Sequence, residues 1–294
     1  MKIDEILKRR QTLSFEIFPP KPELDRDLSG IKKTISTLRS EEPDFISVTY
    51  GAGGGNRPRA LDIAKIVLSM GMQPLSHLTA VGYTREDVET LLASLFRLEV
   101  RNILALRGDI PKSFGGGKSP WKDYRTALDL VESVACAGDF CIGGAAYPEG
   151  HQESVSPEMD VDFMREKVRA GVSFFITQLF FENDDFRKFI DRVESSGMDV
   201  PIIAGVMPVF KARQIRRIVE LSGCAVPEKL ERLLDRYAED DASMADAGMD
   251  YAAEQIDDLW RDGVRGVHIY TMNRAEGVLG ILERCGLSKG RGLR

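Results

Sequence analysis

Residues 102–110 read NILALRGDI, and their reading decides the fold. A short apolar run, Ile103 to Leu106, breaks abruptly into Arg107, Gly108 and Asp109. An apolar run this short, bounded by turn signals, predicts a strand buried on both faces, as in a parallel sheet. The Arg-Gly-Asp then stands where that strand ends and its loop begins. The same plan of apolar strand, polar cluster and helix recurs along the chain, an arrangement that points to an enzyme.

Upstream, residues 73–79 (QPLSHLT) predict a strand. A helix follows over 85–98, with Thr84 as N-cap and Asp87 completing an acidic variant of the capping box. Residues 44–50 (DFISVTY) predict another strand, then a glycine-rich loop at 51–55 and a helix over 58–70 whose Pro58 suits the first turn. Residues 12–18 (TLSFEIF) alternate into the first strand, which stops at Pro19-Pro20. A short helix over 1–10 precedes it and an amphipathic helix over 24–39 follows. Downstream, a long loop at 111–121 leads to a helix over 124–137. Strands are predicted at 140–147, 172–181, 201–209 and 266–272. Their helices fall at 161–170, 184–195 (capped by Asn183), 211–221 and 275–285. Residues 227–262 predict two additional helices before the last strand, and a basic, glycine-rich tail begins at Ser288.

Strands alternating with helices at roughly 30-residue spacing predict an α/β chain folded as a (β/α)8 TIM barrel with extra helices before the last strand. One catalytic barrel over 1–294 is expected, with 227–262 as a helical insertion and no regulatory domain. The runner-up is an open doubly wound sheet. It lacks its phosphate fingerprint, because residues 51–55 (GAGGG) are not GxGxxG at the proper place.

Hydrophobic residues make up 43% of the chain and charged ones 29%, so an ordinary globular core is available. A net charge of −6 gives nucleic acid or an anionic membrane no attraction. Cys136, Cys141, Cys224 and Cys285 form no CxxC pair and are expected to be buried free thiols in a reducing compartment. The N-terminus, MKIDEILKRR, has no apolar h-region, and no apolar run approaches the ~20 residues that span a bilayer. A cytoplasmic protein is expected.

In such a barrel the active site lies at the carboxyl ends of the strands. Those ends carry Glu16, Thr49, His77, Arg107 with Asp109, Tyr147 with His151, Gln178, and Asn273 with Arg274. Glu16, between Phe15 and Ile17, is costly without partners. It forms either a salt bridge across the barrel, to Arg107 or Arg274, or a general acid, since apolar surroundings favour the protonated carboxyl. Asp109 is a turn cap or a functional carboxylate. His77 and His151 with Glu16 and Asp109 make a conceivable metal set, but no HxH or HExxH spacing supports one, and no metal is expected. His268, mid-strand, reads as a satisfied core histidine. The Gln178 amide suits reading a heterocycle edge by paired donor and acceptor. There is no Ser/His/Asp or Cys/His pattern and no P-loop. The residues describe a barrel enzyme for a planar, polar-edged ligand.

The segments LSFEIFPPK, DFISVTYGAGG, PLSHLTA, NILALRGDIP, AAYPEGH, KVRAGVSFFITQLFF, GVMPV and YTMNRAE, in this order and spacing, resemble the methylenetetrahydrofolate reductase family in its bacterial single-domain form. The resemblance implies FAD across the top of the barrel, reduced by NADH, NADPH or a protein electron donor. The flavin then reduces 5,10-methylenetetrahydrofolate to 5-methyltetrahydrofolate in ping-pong order. It implies Glu16 as general acid, Asp109 beside flavin and pterin, and Gln178 against pterin or nicotinamide. Thr49, His77, Arg107, Gly108, Tyr147, His151 and Lys167 would hold the flavin, and Gln214 and Arg274 would line the folate side. A homo-oligomer is compatible with the resemblance.

Some residues depart from the family pattern. Tyr124 stands two residues early ahead of Ala127, both at a flavin-contacting stretch. Phe163 occupies a place that often carries a polar flavin contact, for which Asp160 is the nearby candidate. Ile218 stands where an aromatic can stack on substrate. The Gly54-Gly55-Asn56 stretch and Pro58 are also unusual. Competing readings are a flavin-independent folate reductase with direct hydride transfer, a metal-dependent barrel hydrolase or lyase, and a non-catalytic flavin subunit. The last has no use for a proton donor such as Glu16.

Overall fold

The computed structural model describes residues 1–50, 57–110 and 119–289. The expected loop at 51–55 with Gly54-Gly55-Asn56, most of the loop at 111–121, and the end of the tail lie outside the described residues. Eight parallel strands close into a barrel in chain order. They are β1 (Thr12–Ile17), β2 (Phe45–Val48), β3 (Pro74–Thr79), β4 (Asn102–Leu106), β5 (Cys141–Ala146), β6 (Val172–Thr177), β7 (Ile202–Val206) and β8 (Gly266–Tyr270). β8 pairs with β1 to complete the ring. The expected (β/α)8 architecture is the one observed.

Short helix α1 (Ile3–Leu7) precedes the barrel. The helices that return the chain between strands are α2 (Ser29–Arg39), α3 (Arg57–Ser69), α4 (Arg85–Arg97), α5 (Ala127–Ala137), α6 (Pro157–Ala170), α7 (Asn183–Ser195) and α8 (Ala212–Ser222). Then α9 (Glu228–Arg236) and α10 (Asp241–Arg261) stand before β8, and α11 (Ala275–Arg284) follows it.

Because side chains alternate along a strand, each β-strand here serves two cores. The outward set, such as Leu13, Phe15 and Ile17 of β1, joins Ile31, Ile35 and Leu38 of α2 in one large apolar cluster. The inward set at the lower end comprises Phe45, Leu75, Leu104, Cys141, Phe174 and Ile203, and Ile3 and Leu7 of α1 close it like a cork. The Ile3 N–H donates to the buried Asn102 Oδ1 (2.9 Å), which seats the cork. Gly143 makes room for Phe174: a Cβ there would stand 2.6 Å from the ring. A third cluster joins Leu179 and Met207 at the upper end to Ile215 of α8, Leu230 and Leu234 of α9, and Met244 of α10.

Several boundaries differ from expectation for identifiable reasons. α2 begins at Ser29 rather than near 24, because Leu28 is left-handed (φ 64°) and the Asp25 carboxylate accepts the N–H groups of Gly30 and Ile31. α6 gains a turn, with Ser156 as N-cap and Pro157 opening the helix. Asn183 does not cap α7; it is the helix's first residue, and its buried amide instead donates to Gln255 O (3.1 Å) and Asp258 (2.7 Å) on α10. β6 ends at Thr177, short of the expected 181. All four cysteines are free, but only Cys141 and Cys224 are buried as expected; Cys136 is exposed and Cys285 half-buried. Among the described residues no helix is long and apolar enough to cross a membrane.

Candidate active site

A cavity of about 710 Å³ opens at the carboxyl-terminal mouth of the barrel. Its lining includes Glu16, Thr49, His77, Arg107, Gly108, Asp109, Ala127, Tyr147, His151, Asp160, Lys167 and Gln178, so the strand-end residues do converge. Tyr124, Gln214 and Arg274 do not line it. Tyr124 faces a separate groove between α4 and α5, and its hydroxyl donates to Ser133 Oγ (3.1 Å). Thr126 and Ala127, unlike Tyr124, reach the cavity. Gln214 rides on α8, and the Arg274 guanidinium sits over the Phe210 ring (5.3 Å).

Glu16 lies on the cavity floor, 7% exposed. Neither arginine expected as its salt-bridge partner pairs with it: Arg107 forms a two-pronged ion pair with Glu153 instead. The neighbours of Glu16 Oε2 are His77 Nε2 at 3.5 Å, His268 Nε2 at 3.8 Å and Ser47 Oγ at 3.5 Å. Burial pushes the His77 imidazole down to about 4, outweighing the upward pull of Glu16, and nearby His268 pushes the same way as burial. His77 is therefore neutral at pH 7. The β1 backbone at this point is pinned by the residue that follows β8, since the Thr271 hydroxyl donates to Glu16 O (2.6 Å). The Asn273 amide, expected as a site group, is spent on both backbone groups of Phe18 (3.0 and 2.9 Å).

The cavity wall carries polar groups in need of a partner. Thr49 Oγ1, Thr79 Oγ1 and His77 Nε2 are buried with no hydrogen-bond partner among the described residues. An unpaired buried polar group costs about 1–3 kcal/mol, so such a set marks a place where a ligand supplies the partners. Gly108 has φ +82°, and a Cβ would stand 2.7 Å from Val81 and 2.9 Å from Thr79, so only glycine brings the backbone this close to the wall.

The far side of the cavity holds a buried lysine. Lys167 is 5% exposed, and burial pushes its ammonium down to about 8, against the pull of Asp160. Its Nζ donates to Ala145 O (3.3 Å) and lies 4.7 Å over the Phe163 ring. Phe163 thus serves as a cation–π platform where a polar contact was anticipated. Asp160 accepts the His151 N–H (2.8 Å), and the His151 ring meets Tyr147 edge-on (4.7 Å). Burial pushes the Tyr147 hydroxyl up to about 12, so it stays protonated. Gln178 Oε1 accepts the neighbouring Leu179 N–H (3.0 Å), which orients the amide. No group of three or more His, Cys, Asp or Glu among the described residues is arranged to hold a metal ion.

His268, Tyr270, Thr79 and Glu153 also line the cavity; His268 was expected only as a core histidine, and the other three were not singled out in the sequence. The signal for three of them was parity. Thr79 lies two residues from His77, and His268 and Tyr270 lie two apart, so each pair faces one side of its strand. Glu153 carries no such signal.

Comparison with known proteins bears on what this site serves. Residues 2–286 match the family profile described as Methylenetetrahydrofolate reductase. The chain is 35% identical to the 5,10-methylenetetrahydrofolate reductase of Escherichia coli (strain K12), over 95% of this chain and 92% of that one. It is 35% identical to the enzyme of the same name from Pectobacterium carotovorum subsp. carotovorum, over 92% and 88% respectively. Among solved structures, an uncharacterized protein from Clostridium thermocellum that binds two copies of 5-methyl-5,6,7,8-tetrahydrofolic acid superposes with a TM-score of 0.68. It shares 15% identity and covers 98% of this chain and 99% of that one, a likeness of fold.

Proposed function

The chain belongs to the methylenetetrahydrofolate reductase family, and from that premise we propose that it reduces 5,10-methylenetetrahydrofolate to 5-methyltetrahydrofolate with FAD held in the barrel mouth. The observation that carries this reading is the Glu16 carboxyl on the floor of a cavity whose wall presents unpartnered neutral donors and acceptors.

The residues present fit the cofactor. Thr49, Thr79 and His77 offer hydrogen bonds to a polar-edged ring, and Gly108 lets backbone approach it. Lys167 and Arg107 offer charge to phosphates. Arg107 must exchange Glu153 for that role. Bound FAD supplies the hydride relay between an electron donor and folate, in ping-pong order.

The remaining work falls to side chains. Glu16 donates a proton to the substrate nitrogen that leaves the methylene bridge, which exposes the electrophilic iminium. Neutral His77 places no positive charge beside Glu16, where a cation would favour loss of the proton before substrate needs it. Asp109, exposed at the mouth, orients the folate, and Gln178 reads the edge of its heterocycle.

An absorbance spectrum of the purified, FAD-reconstituted protein tests this. A flavin band that bleaches with NADH or NADPH and returns with methylenetetrahydrofolate is the expected result. Bleaching only with dithionite, followed by return with folate, assigns a protein electron donor. Absence of any flavin band after reconstitution overturns the cofactor and leaves direct transfer from nicotinamide.

A further inference from the structure

Behind Glu16 runs a buried polar chain to which the steps above give no work. His268 is fully buried in β8, stacked on Phe45 (5.8 Å) and edge-on to Tyr270 (5.5 Å). Its Nδ1 lies 2.8 Å from Ser14 Oγ and its Nε2 lies 3.2 Å from Ser47 Oγ. Ser47 Oγ in turn lies 3.5 Å from Glu16 Oε2. The barrel register imposes this line: Ser14 is the partner of His268 between β1 and β8, and Glu16 is the partner of Ser47 between β1 and β2. Ser14, Ser47 and His268 are all fully buried, where polar groups are kept only when they satisfy one another.

The direction of the chain follows from its end. The Oε2 of Glu16 accepts, whether as carboxylate or as the carbonyl oxygen of a carboxyl protonated on Oε1, so the Ser47 hydroxyl donates to it. Ser47 Oγ, its proton committed, accepts from His268 Nε2–H. A neutral imidazole has one donor, so Nδ1 accepts, and the Ser14 hydroxyl donates to it. That contact, at 2.8 Å, is shorter than the alternative from Ser14 to the Val267 carbonyl at 3.3 Å. Each hydroxyl and ring nitrogen then has one role, and all of them point toward Glu16.

We propose that His268, acting through Ser47, is a positioning residue for Glu16: the chain donates to Oε2 and leaves Oε1 as the oxygen that carries and releases the proton. The inference rests on the reading of Glu16 as general acid given above. His268 and Ser47 exchange no proton in it. They fix the carboxyl plane and stabilise the carboxylate once its proton has gone to substrate.

The test uses the FAD-loaded protein and the variants Ser47→Ala, His268→Phe and His268→Gln. Phenylalanine keeps the aromatic packing with Phe45 and Tyr270, and glutamine keeps a donor and an acceptor. Stopped-flow spectra separate reduction of the flavin by its donor from its reoxidation by folate. We expect Ser47→Ala and His268→Phe to slow the folate half-reaction roughly tenfold at unchanged folate KM, with His268→Gln between them and wild type and flavin reduction within about twofold of wild type. Nitrogen-15 spectra of the histidine-labelled protein, with only three histidines, give the tautomer without reference to turnover. The Nε2–H form is expected at His268, assigned by its loss in either His268 variant. An Nδ1–H tautomer, variants that reduce folate as wild type does, or an equal slowing of both half-reactions overturns the inference. A wild-type protein that takes up electrons but never passes them to folate overturns the functional reading and this inference with it.

Discussion

His77 Nε2 lies 3.5 Å from Glu16 Oε2 with both side chains buried, yet no hydrogen bond joins them. An imidazole held neutral beside a carboxyl, without bonding to it, leaves each group available to something else. In the function proposed above, the carboxyl would serve a substrate and the ring nitrogen a cofactor edge.

Glu16→Gln separates the two half-reactions. The amide fits the same space and still accepts from Ser47, so FAD binding and its reduction by the donor are retained. It has no acidic proton, so folate reduction falls by roughly 10²–10⁴-fold, the usual worth of a positioned acid. Stopped-flow absorbance of the flavin band measures both. Normal folate turnover by this variant removes Glu16 from the general-acid role.

The neutrality of His77 has a cost in acid. The unfolded chain takes up this proton near pH 6.5, and the folded protein only near about 4, so unfolding binds a proton between those values. Stability from this group is therefore full above pH 6.5 and falls as pH drops toward 4, by up to about 1.4 kcal/mol per pH unit. His77→Gln removes that slope. Urea unfolding midpoints measured at intervals from pH 7 to 4 report it, and equal slopes for both proteins refute it.

The barrel was legible because its strands are short apolar runs, and because polar residues stand at their carboxyl ends in NILALRGD, FISVTY and PLSHLT alike. What was not legible depended on tertiary choice. Asn183 has the propensity of a cap, yet its amide is worth more against α10, where Gln255 and Asp258 need a donor. Ser156-Pro157 is a helix start by local rules, and the apolar pattern alone hid it until Val161. At the site, His268 looks like an isolated core residue along its own strand. Only the lateral register of β8, β1 and β2 places it behind Glu16. Tyr124 shows the reverse: a residue expected at the cavity from its place in the chain lies instead at the groove between α4 and α5.

Lys167 predicts a pH dependence of cofactor binding. Its ammonium gives way near pH 8, against 10.5 when unfolded, because burial penalises the charge. If this ammonium meets the anionic part of FAD, affinity is full below about pH 8 and declines above it. The apoprotein shows the opposite trend: between pH 8 and 10.5 the folded state has already shed the proton, so stability rises with pH in that window. Fluorescence titration of FAD into the apoprotein at pH 7 and 9, beside Lys167→Met, measures the first effect. Affinity that does not change between the two values in wild type places the phosphates elsewhere.

Gly108 and Gly71 allow a controlled test of the cavity wall. Both have positive φ, +82° and +80°, so an alanine at either position carries the same backbone penalty of about 1 kcal/mol. Nothing lies within 4 Å of a Cβ on Gly71, whereas a Cβ on Gly108 meets Val81 at 2.7 Å and Thr79 at 2.9 Å. Gly71→Ala should lower the melting temperature by only a few degrees and leave FAD affinity as it was. Gly108→Ala adds the clash, about 1–3 kcal/mol more, and displaces Thr79, whose hydroxyl lacks a partner among the described residues and faces the cavity. Its melting temperature should fall further, and FAD affinity should drop at least tenfold. Equal behaviour of the two variants in both measurements means that the close approach at Gly108 does not shape the cofactor site.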